Sequence, residues 1–304
     1  MSTMMFFVLP IFALGAAAGC TPSRLSSIQL FIDFDGTIVT SDAYTALATA
    51  AYASLPSDSS VLQWDEIEQI YGERADAAAA AVPEPSSLEG AIAYANDVSL
   101  RDVEVWSFDW VKGMGLFETA EADKLVKYAR NQTLRSGWCA FARTAQKKGA
   151  HINVVSLNWS PSWVRLVLQE SSGCPDVVSR IDTYSPEILP LGVLPVSHLN
   201  HNVSLFSGGD KTKLIKGLLK DVPAARKKKV VFVSDGRADL QPLWDSPTNV
   251  GIVAGYGGSA VETFRQYGVD IWEASEGWKG FTGEKANAVY SFEDWVGVAS
   301  LLWS

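Results

Sequence analysis

The chain is poor in the residues that build metal clusters and covalent frameworks. Its 304 residues include 3 cysteines and 3 histidines. Cys20, Cys139 and Cys174 are too few and too scattered to read as a disulfide framework or a zinc site. His151, His198 and His201 form no transition-metal constellation, since the i, i+3 pair His198 and His201 falls within 196–203, a strand or loop rather than a helix. Basic charge is scarce as well. Lys and Arg number 25 against 34 Asp and Glu, a net charge of -9, which argues against a nucleic-acid partner because phosphate contacts need clustered cations. The one basic run, 226–229, directly precedes an expected strand and reads as a solvated turn. No internal repeat is evident. Gly255-Tyr256-Gly257-Gly258 lacks the last glycine of a dinucleotide fingerprint, residue 260 being Ala, and reads as the turn that opens a helix at 259–267.

What the chain does have is apolar content enough for a full core, 47% hydrophobic with 19% charged residues. Residues 4–18 form an unbroken apolar stretch that resembles a signal-peptide core, of marginal length for a stable membrane span. No Lys or Arg precedes it, and the odd cysteine count gives no disulfide signature. The expectation is therefore a cytoplasmic protein with an apolar N-terminal extension over 1–25, a secreted or membrane-tethered form being the alternative. Asn131, Asn158 and Asn202 each open a glycosylation sequon, but Asn158 lies inside a motif described below, where a glycan would block the chemistry.

From residue 28 onward short apolar strands alternate with helical segments, the mark of an α/β domain with a largely parallel sheet. Strands are expected at 29–34, 152–157, 230–234, 250–254 and 269–272. Between the first two, 41–132 breaks the rhythm with Ala-, Glu- and Leu-bearing helical runs at 42–53, 62–81, 86–94 and 120–130, separated by prolines. This predicts a Rossmann-like parallel-sheet core, 26–40 with 133–304, carrying a helical cap inserted after the first strand. A helix at 134–149 would lead back to the core.

Chemistry gathers at the expected strand tips, where open parallel sheets bind ligands. Phe31-Ile32-Asp33-Phe34-Asp35-Gly36-Thr37 ends an apolar strand in two carboxylates two residues apart, so both point to one side of the extended chain. Such a pair is costly unless a cation neutralises it or one member holds a proton. Val155-Ser156-Leu157-Asn158 ends the second strand in a hydroxyl. Gly208-Gly209-Asp210-Lys211 opens a helix with a lysine, and Val233-Ser234-Asp235-Gly236-Arg237-Ala238-Asp239 ends another strand in two acids.

In that order these segments resemble the four motifs of the haloacid dehalogenase-like (HAD) phosphohydrolase superfamily, over about 28–272, in its branch with a helical cap near the phosphoserine phosphatases. The resemblance implies a Mg²⁺-dependent phosphoric monoester hydrolase acting on a small phosphate ester. Asp33 would be the nucleophile that forms an aspartyl-phosphate and Asp35 the acid/base. Ser156 and Lys211 would hold the transferring phosphoryl group, with Thr37 and Asn158 as lesser members of that pocket. The metal would be held by Asp33, Asp35 through its backbone carbonyl, and Asp235, with Asp239 acting nearby. Two features refine the match. An acid at Asp35 favours phosphoryl transfer over dehalogenation, and Leu157-Asn158-Trp159 replaces the glycine pair of phosphoserine phosphatases, which counts against phosphoserine. The aromatic run Trp106, Phe108, Trp110, Met114 and Phe117 reads first as the insertion's own core, and otherwise as a pocket for an apolar or aromatic leaving group, as in a terpenyl phosphate or diphosphate substrate. Arg101 and Arg135 stand as possible contacts to an anionic substrate. A phosphotransferase and a catalytically idle binding protein are the other readings.

Overall fold

Ile28–Ile32 (β1) is buried at every position, which is what a strand covered on both faces requires. In the computed structural model, which describes residues 28–220, 222, 229–277 and 288–303, β1 lies near the middle of an eight-stranded sheet. The N-terminal extension, Cys20 and residues 226–228 of the basic run lie outside the described residues. The other strands are His151–Val155 (β2), Asp182–Ser185 (β3), Asn200–Asn202 (β4), Lys229–Ser234 (β5), Val250–Ala254 (β6), Asp270–Glu273 (β7) and Ala288–Phe292 (β8). The order is β4-β3-β2-β1-β5-β6-β8-β7, and every pairing is parallel. The fold is α/β and Rossmann-like. Because β1 pairs with β2 on one side and β5 on the other, the chain reverses direction across the sheet at β1. A crevice opens at the carboxyl ends there.

All five expected strands form. The ones not anticipated are β3, β4 and β8. Asp182–Ser185 and Asn200–Asn202 are polar segments that offer no apolar run; their place at the sheet margin is set by pairing and by side-chain bonds rather than by composition. Asp182 accepts from His201 at 2.8 Å and meets His151 at 3.0 Å, tying β2, β3 and β4 together.

The strands' alternating side chains build two cores. Ile28, Leu30 and Ile32 face one, with Trp138 and Phe141 of Trp138–Lys147 (α6), Trp163 and Val167 of Pro161–Ser172 (α7) and Trp295 of Trp295–Trp303 (α12). Phe31 faces the other, with Ile215 of Gly208–Leu218 (α9), Leu243 of Leu240–Trp244 (α10) and Phe264 of Ser259–Gln266 (α11).

Between β1 and α6 run five helices: Ala43–Tyr52 (α1), Trp64–Ala81 (α2), Leu88–Ala95 (α3), Val98–Gly113 (α4) and Ala122–Arg130 (α5). Helix α4 was not foreseen. The exit and return of this segment are pinned to one another, Thr40 N–H donating to the Thr133 carbonyl at 2.9 Å and Arg135 N–H to that of Ile38 at 2.7 Å. Its helices are not free-standing. Leu47 and Leu125, from α1 and α5, enter the first core, whereas Leu88 and Ile92 of α3 enter the second. No helix among the described residues is long and apolar enough to cross a membrane.

The cysteine reading needs correction. Cys139 and Cys174 form a disulfide across 35 residues. Nothing in their spacing signals the pair; the return of the chain through α6, β2 and α7 brings their Cα atoms to 6.0 Å, within bridging range. A loop of that length constrains the unfolded chain by about 2–4 kcal/mol. Cys139→Ser should lower unfolding free energy by that amount in urea titrations, with no further loss when reductant is added. A reductant effect as large as in the parent would refute the bridge.

Candidate active site

The tips of β1, β2 and β5 and the start of α9 converge on a cavity of about 360 Å³ lined by Asp33, Asp35, Ser156, Lys211, Asp235 and Asp239. Six of the eight residues singled out from the sequence thus share one crevice. Pairing continues one step past β1, Asp33 N–H donating to the Val233 carbonyl at 2.8 Å, which fixes the Asp33 backbone against β5. Gly36 then turns the chain with φ of 67°. A Cβ there would come within 2.2 Å of Asp235 Oδ2, so only glycine lets the two tips approach this closely.

Lys211 holds the crevice together. Its ammonium, 1% exposed, donates to Asp33 Oδ1 at 2.7 Å and to Asp239 Oδ2 at 2.6 Å. Asp239 Oδ2 also accepts from Ser234 Oγ at 2.7 Å, while Oδ1 is buried without a partner. Burial pulls the ammonium down, but Asp239 and Asp33 together hold it above its ordinary value. Ser207 caps α9 by accepting from the Asp210 N–H, and a Cβ at Gly208 would strike the Ala238 carbonyl at 2.2 Å. The helix start that carries Lys211 is therefore seated against the loop that carries Asp239.

Asp35 lies across the crevice with different partners. Oδ1 accepts from Ala43 N–H at 2.7 Å, at the start of α1, and Oδ2 from Asn158 Nδ2 at 3.1 Å. The β1 tip is thereby wired to the inserted helices on one side and to the β2 tip on the other. Ser156 Oγ accepts from Asn158 N–H at 3.0 Å, leaving its own hydrogen for a ligand.

The two other expected members sit differently from what the motifs suggest. Thr37 is fully buried, with its hydroxyl toward Asp235 Oδ1 at 3.2 Å and Asp33 Oδ2 at 3.4 Å, and it does not line the crevice. Asn158 lines a neighbouring cavity and serves Asp35. Arg101 is paired with Asp210 at 2.8 Å, and Arg135 donates to the carbonyls of Gly36 and Thr37, bracing the turn. Phe108 and Phe117 are core residues, and Trp106 stacks on Trp110 at 4.9 Å. Sequence reasoning missed Ser234, which only the packing of β5 against the Arg237–Asp239 turn brings to Asp239, and the aromatic side chains above Asp35.

Burial dominates the electrostatics. Opposed by Lys211 and reinforced by Asp239 and Asp235, it pushes the Asp33 carboxyl up to about 8. Burial and the charge of Asp42 push Asp35 up to about 7, against the pull of the Ala43 N–H and Asn158. Burial and Asp239 also raise Asp235. Four acids face one ammonium, too little positive charge to keep all of them ionised. The oxygen-only donors and the unpartnered Asp239 Oδ1 suit a hard cation, although no three His, Cys, Asp or Glu side chains among the described residues form a ready-made metal cluster.

The sign of the pH effect follows. Carboxyls raised from 3.8 toward 7 or 8 are protonated in the folded protein while the unfolded chain's are ionised. The folded state then binds more protons between about pH 4 and 8, and stability falls as pH rises through that window. With EDTA present, thermal melting should drop from pH 5 to pH 8, and less steeply in Asp35→Asn. An unchanged slope in the variant would contradict the shift.

No family model and no curated protein matches the sequence. Among solved structures, the chain is similar to a phosphoserine phosphatase held as a phospho-aspartyl intermediate analogue, at 14% identity and TM-score 0.48 over 90% of this chain and 97% of that one. It is similar to a phosphoserine phosphohydrolase-like protein from Francisella tularensis, at 12% identity and TM-score 0.46 over 90% and 99%. A HAD family hydrolase from Salmonella enterica serovar Typhi gives 14% and 0.47 over 79% and 66%. At such identities and scores the site's own geometry has to carry the function.

Proposed function

We propose that this protein is a HAD-like, Mg²⁺-dependent phosphohydrolase of a small phosphate ester, with Asp33 as nucleophile and Asp35 as acid/base. What carries the proposal is the buried Lys211 bridging Asp33 and Asp239 beside Asp35, four motif segments meeting at one set of strand tips.

Asp33 has Oδ1 engaged by Lys211 and Oδ2 in only a long contact with Thr37. Asp33, held neutral by burial in the absence of a cation, would be ionised once a cation beside Lys211 offsets its charge; its Oδ2 attacks phosphorus, forming the Asp33 oxygen–phosphorus bond as the bond from phosphorus to the leaving alcohol breaks. Asp35, raised far enough to carry a proton near neutrality, gives that proton to the departing oxygen. It then takes one from the water that attacks the intermediate, which releases phosphate and restores Asp33. Ser156 donates its free hydrogen to a phosphoryl oxygen, and Lys211 offsets the charge of Asp33 and the transferring group. Asp33, Asp235 and the Asp35 carbonyl would hold Mg²⁺, with Asp239 close by; a cation kept by few carboxylates plus water and phosphate needs no closed cluster. Bound there, it would neutralise phosphoryl oxygens. The segment 41–132 would serve as the cap that excludes water until the alcohol has left.

The purified protein with Mg²⁺ should release phosphate from an aryl phosphate, fall to background in EDTA, and recover when Mg²⁺ is restored. Turnover indifferent to EDTA would reject the metal dependence, and no turnover of any ester would reject the enzyme.

Location belongs to the same proposal. The Cys139–Cys174 bond and the exposed sequon residues Asn131 and Asn202 favour an oxidising compartment over the cytoplasm.

A further inference from the structure

A second cavity, about 300 Å³, adjoins the crevice through Asp35, which lines both. It is where an alcohol leaving from phosphorus would lie, because Asp35, the proposed proton donor, lines it. Three rings make its wall. Tyr44 meets Trp159 edge-on at 4.4 Å, and Trp64 stands 6.4 Å from Tyr44 and 6.5 Å from Trp159. Tyr71 adds a fourth aromatic side chain.

The polar groups among these rings are of one sign. Asp42, Glu68 and Glu104 line the cavity with Asp35, and no Lys, Arg or His does. Each acid is held in place: Glu104 accepts from Tyr71 Oη at 2.6 Å, Glu68 from Trp64 Nε1 at 2.7 Å, and Asp42 from Tyr44 N–H at 2.7 Å. Burial first, then Glu104, Asp35 and Asp42, hold the Tyr44 hydroxyl well above its ordinary range. Asn158, 1% exposed, also lines the cavity with its Oδ1 buried and unpartnered, an acceptor with no donor.

We infer that this cavity takes the cationic end of the leaving alcohol, so that the substrate is the phosphate ester of a small ammonium-bearing alcohol. Ring faces and carboxylates together attract an alkylammonium group, and desolvation among aromatics strengthens that attraction. An ester whose alcohol carries a carboxylate would instead bring a further negative group beside Asp42, Glu68 and Glu104 with nothing to pair it. An apolar alcohol would fill the ring wall but leave the carboxylates and Asn158 Oδ1 unserved. The inference rests on the phosphohydrolase proposal for the reaction, but the pocket is open to test without turnover.

Two pairs of esters separate charge from shape. Phosphocholine differs from 3,3-dimethylbutyl phosphate by its charge alone, and phosphoserine adds one carboxylate to phosphoethanolamine. We expect kcat/KM to favour the cationic member of the first pair and the carboxylate-free member of the second by about tenfold or more, the scale of a desolvated cation–aromatic contact. Glu104→Gln, which keeps an acceptor for Tyr71, should cut the first ratio several-fold; Trp64→Leu, at a half-buried ring, gives a second variant should the first fold poorly. Binding is read separately, by tryptophan fluorescence with choline against 3,3-dimethylbutan-1-ol. Equal kcat/KM within both pairs, or equal binding of choline and its neutral analogue, overturns the inference. Choline selectivity without turnover of any ester upholds the pocket while the hydrolase proposal falls.

Discussion

Asp33→Asn should abolish phosphate release and leave the fold intact. The amide has the shape of the carboxylic acid but no ionised oxygen to attack phosphorus, so the covalent route closes. Loss of an obligatory nucleophile typically costs about 10⁴-fold or more in turnover. The fold should survive because the Asp33 carboxyl is already pushed up to about 8 by burial. A neutral side chain is what its surroundings favour when no cation is bound. In EDTA the variant should melt no lower than the parent at pH 8, while phosphate release from an aryl phosphate disappears even with Mg²⁺. Turnover within tenfold of the parent would dispose of the aspartyl-phosphate mechanism. A variant that unfolds would instead show that Asp33 serves structure first.

Lys211→Met should damage both stability and activity. The parent ammonium is buried between two carboxylates, Asp33 and Asp239. Removing it leaves Asp239 with no charge partner and Asp33 without the charge that opposes its burial, and breaking a buried pair in this way costs about 3–5 kcal/mol. Ser234 still donates to Asp239 Oδ2, but a neutral hydrogen bond does not replace a charge. Asp33, already raised by burial, can escape part of the cost by taking a proton, so the loss should be smaller at pH 5 than at pH 8. Urea titrations at the two pH values measure it. Turnover should fall by about 10²–10³-fold, the scale of losing one preorganised charge at a transferring group. A loss of stability equal at both pH values would mean that the stranded carboxylates are not what destabilises the variant.

These expectations draw on two kinds of information. The β1 tip was legible because its signal is local. An apolar run, two carboxylates spaced i, i+2 and a glycine at a turn are properties of neighbouring residues. The same holds for β2, β5 and the start of α9, whose apolar and glycine patterns mark the element ends. Strands β3 and β4 were not legible, because Asp182–Ser185 and Asn200–Asn202 are polar and are held by register and by the two histidines on Asp182. The disulfide was hidden for a similar reason, since two cysteines 35 apart say nothing of how the intervening chain returns. Thr37 and Asn158 were marked for the site by their places in the motifs. Their partners, carboxylates rather than an open phosphate pocket, depended on which way the turns carried their side chains.

By itself the sequence determined the alternating α/β plan, the four element ends that bear chemistry, and the inserted helical segment, because burial period and turn propensity act within a few residues. Tertiary structure alone decided which of those ends meet. Lys211 reaches Asp33 across 178 residues only because β1 pairs with β2 and β5 at once. The same packing decided what faces Asp35. Tyr44 comes from α1, Trp64 and Tyr71 from α2, and Trp159 from the turn after β2, so no single local pattern gathers them. Their common cavity exists because α1, α2 and the β2 tip close over one carboxyl, and free energy of that kind is a property of the whole fold.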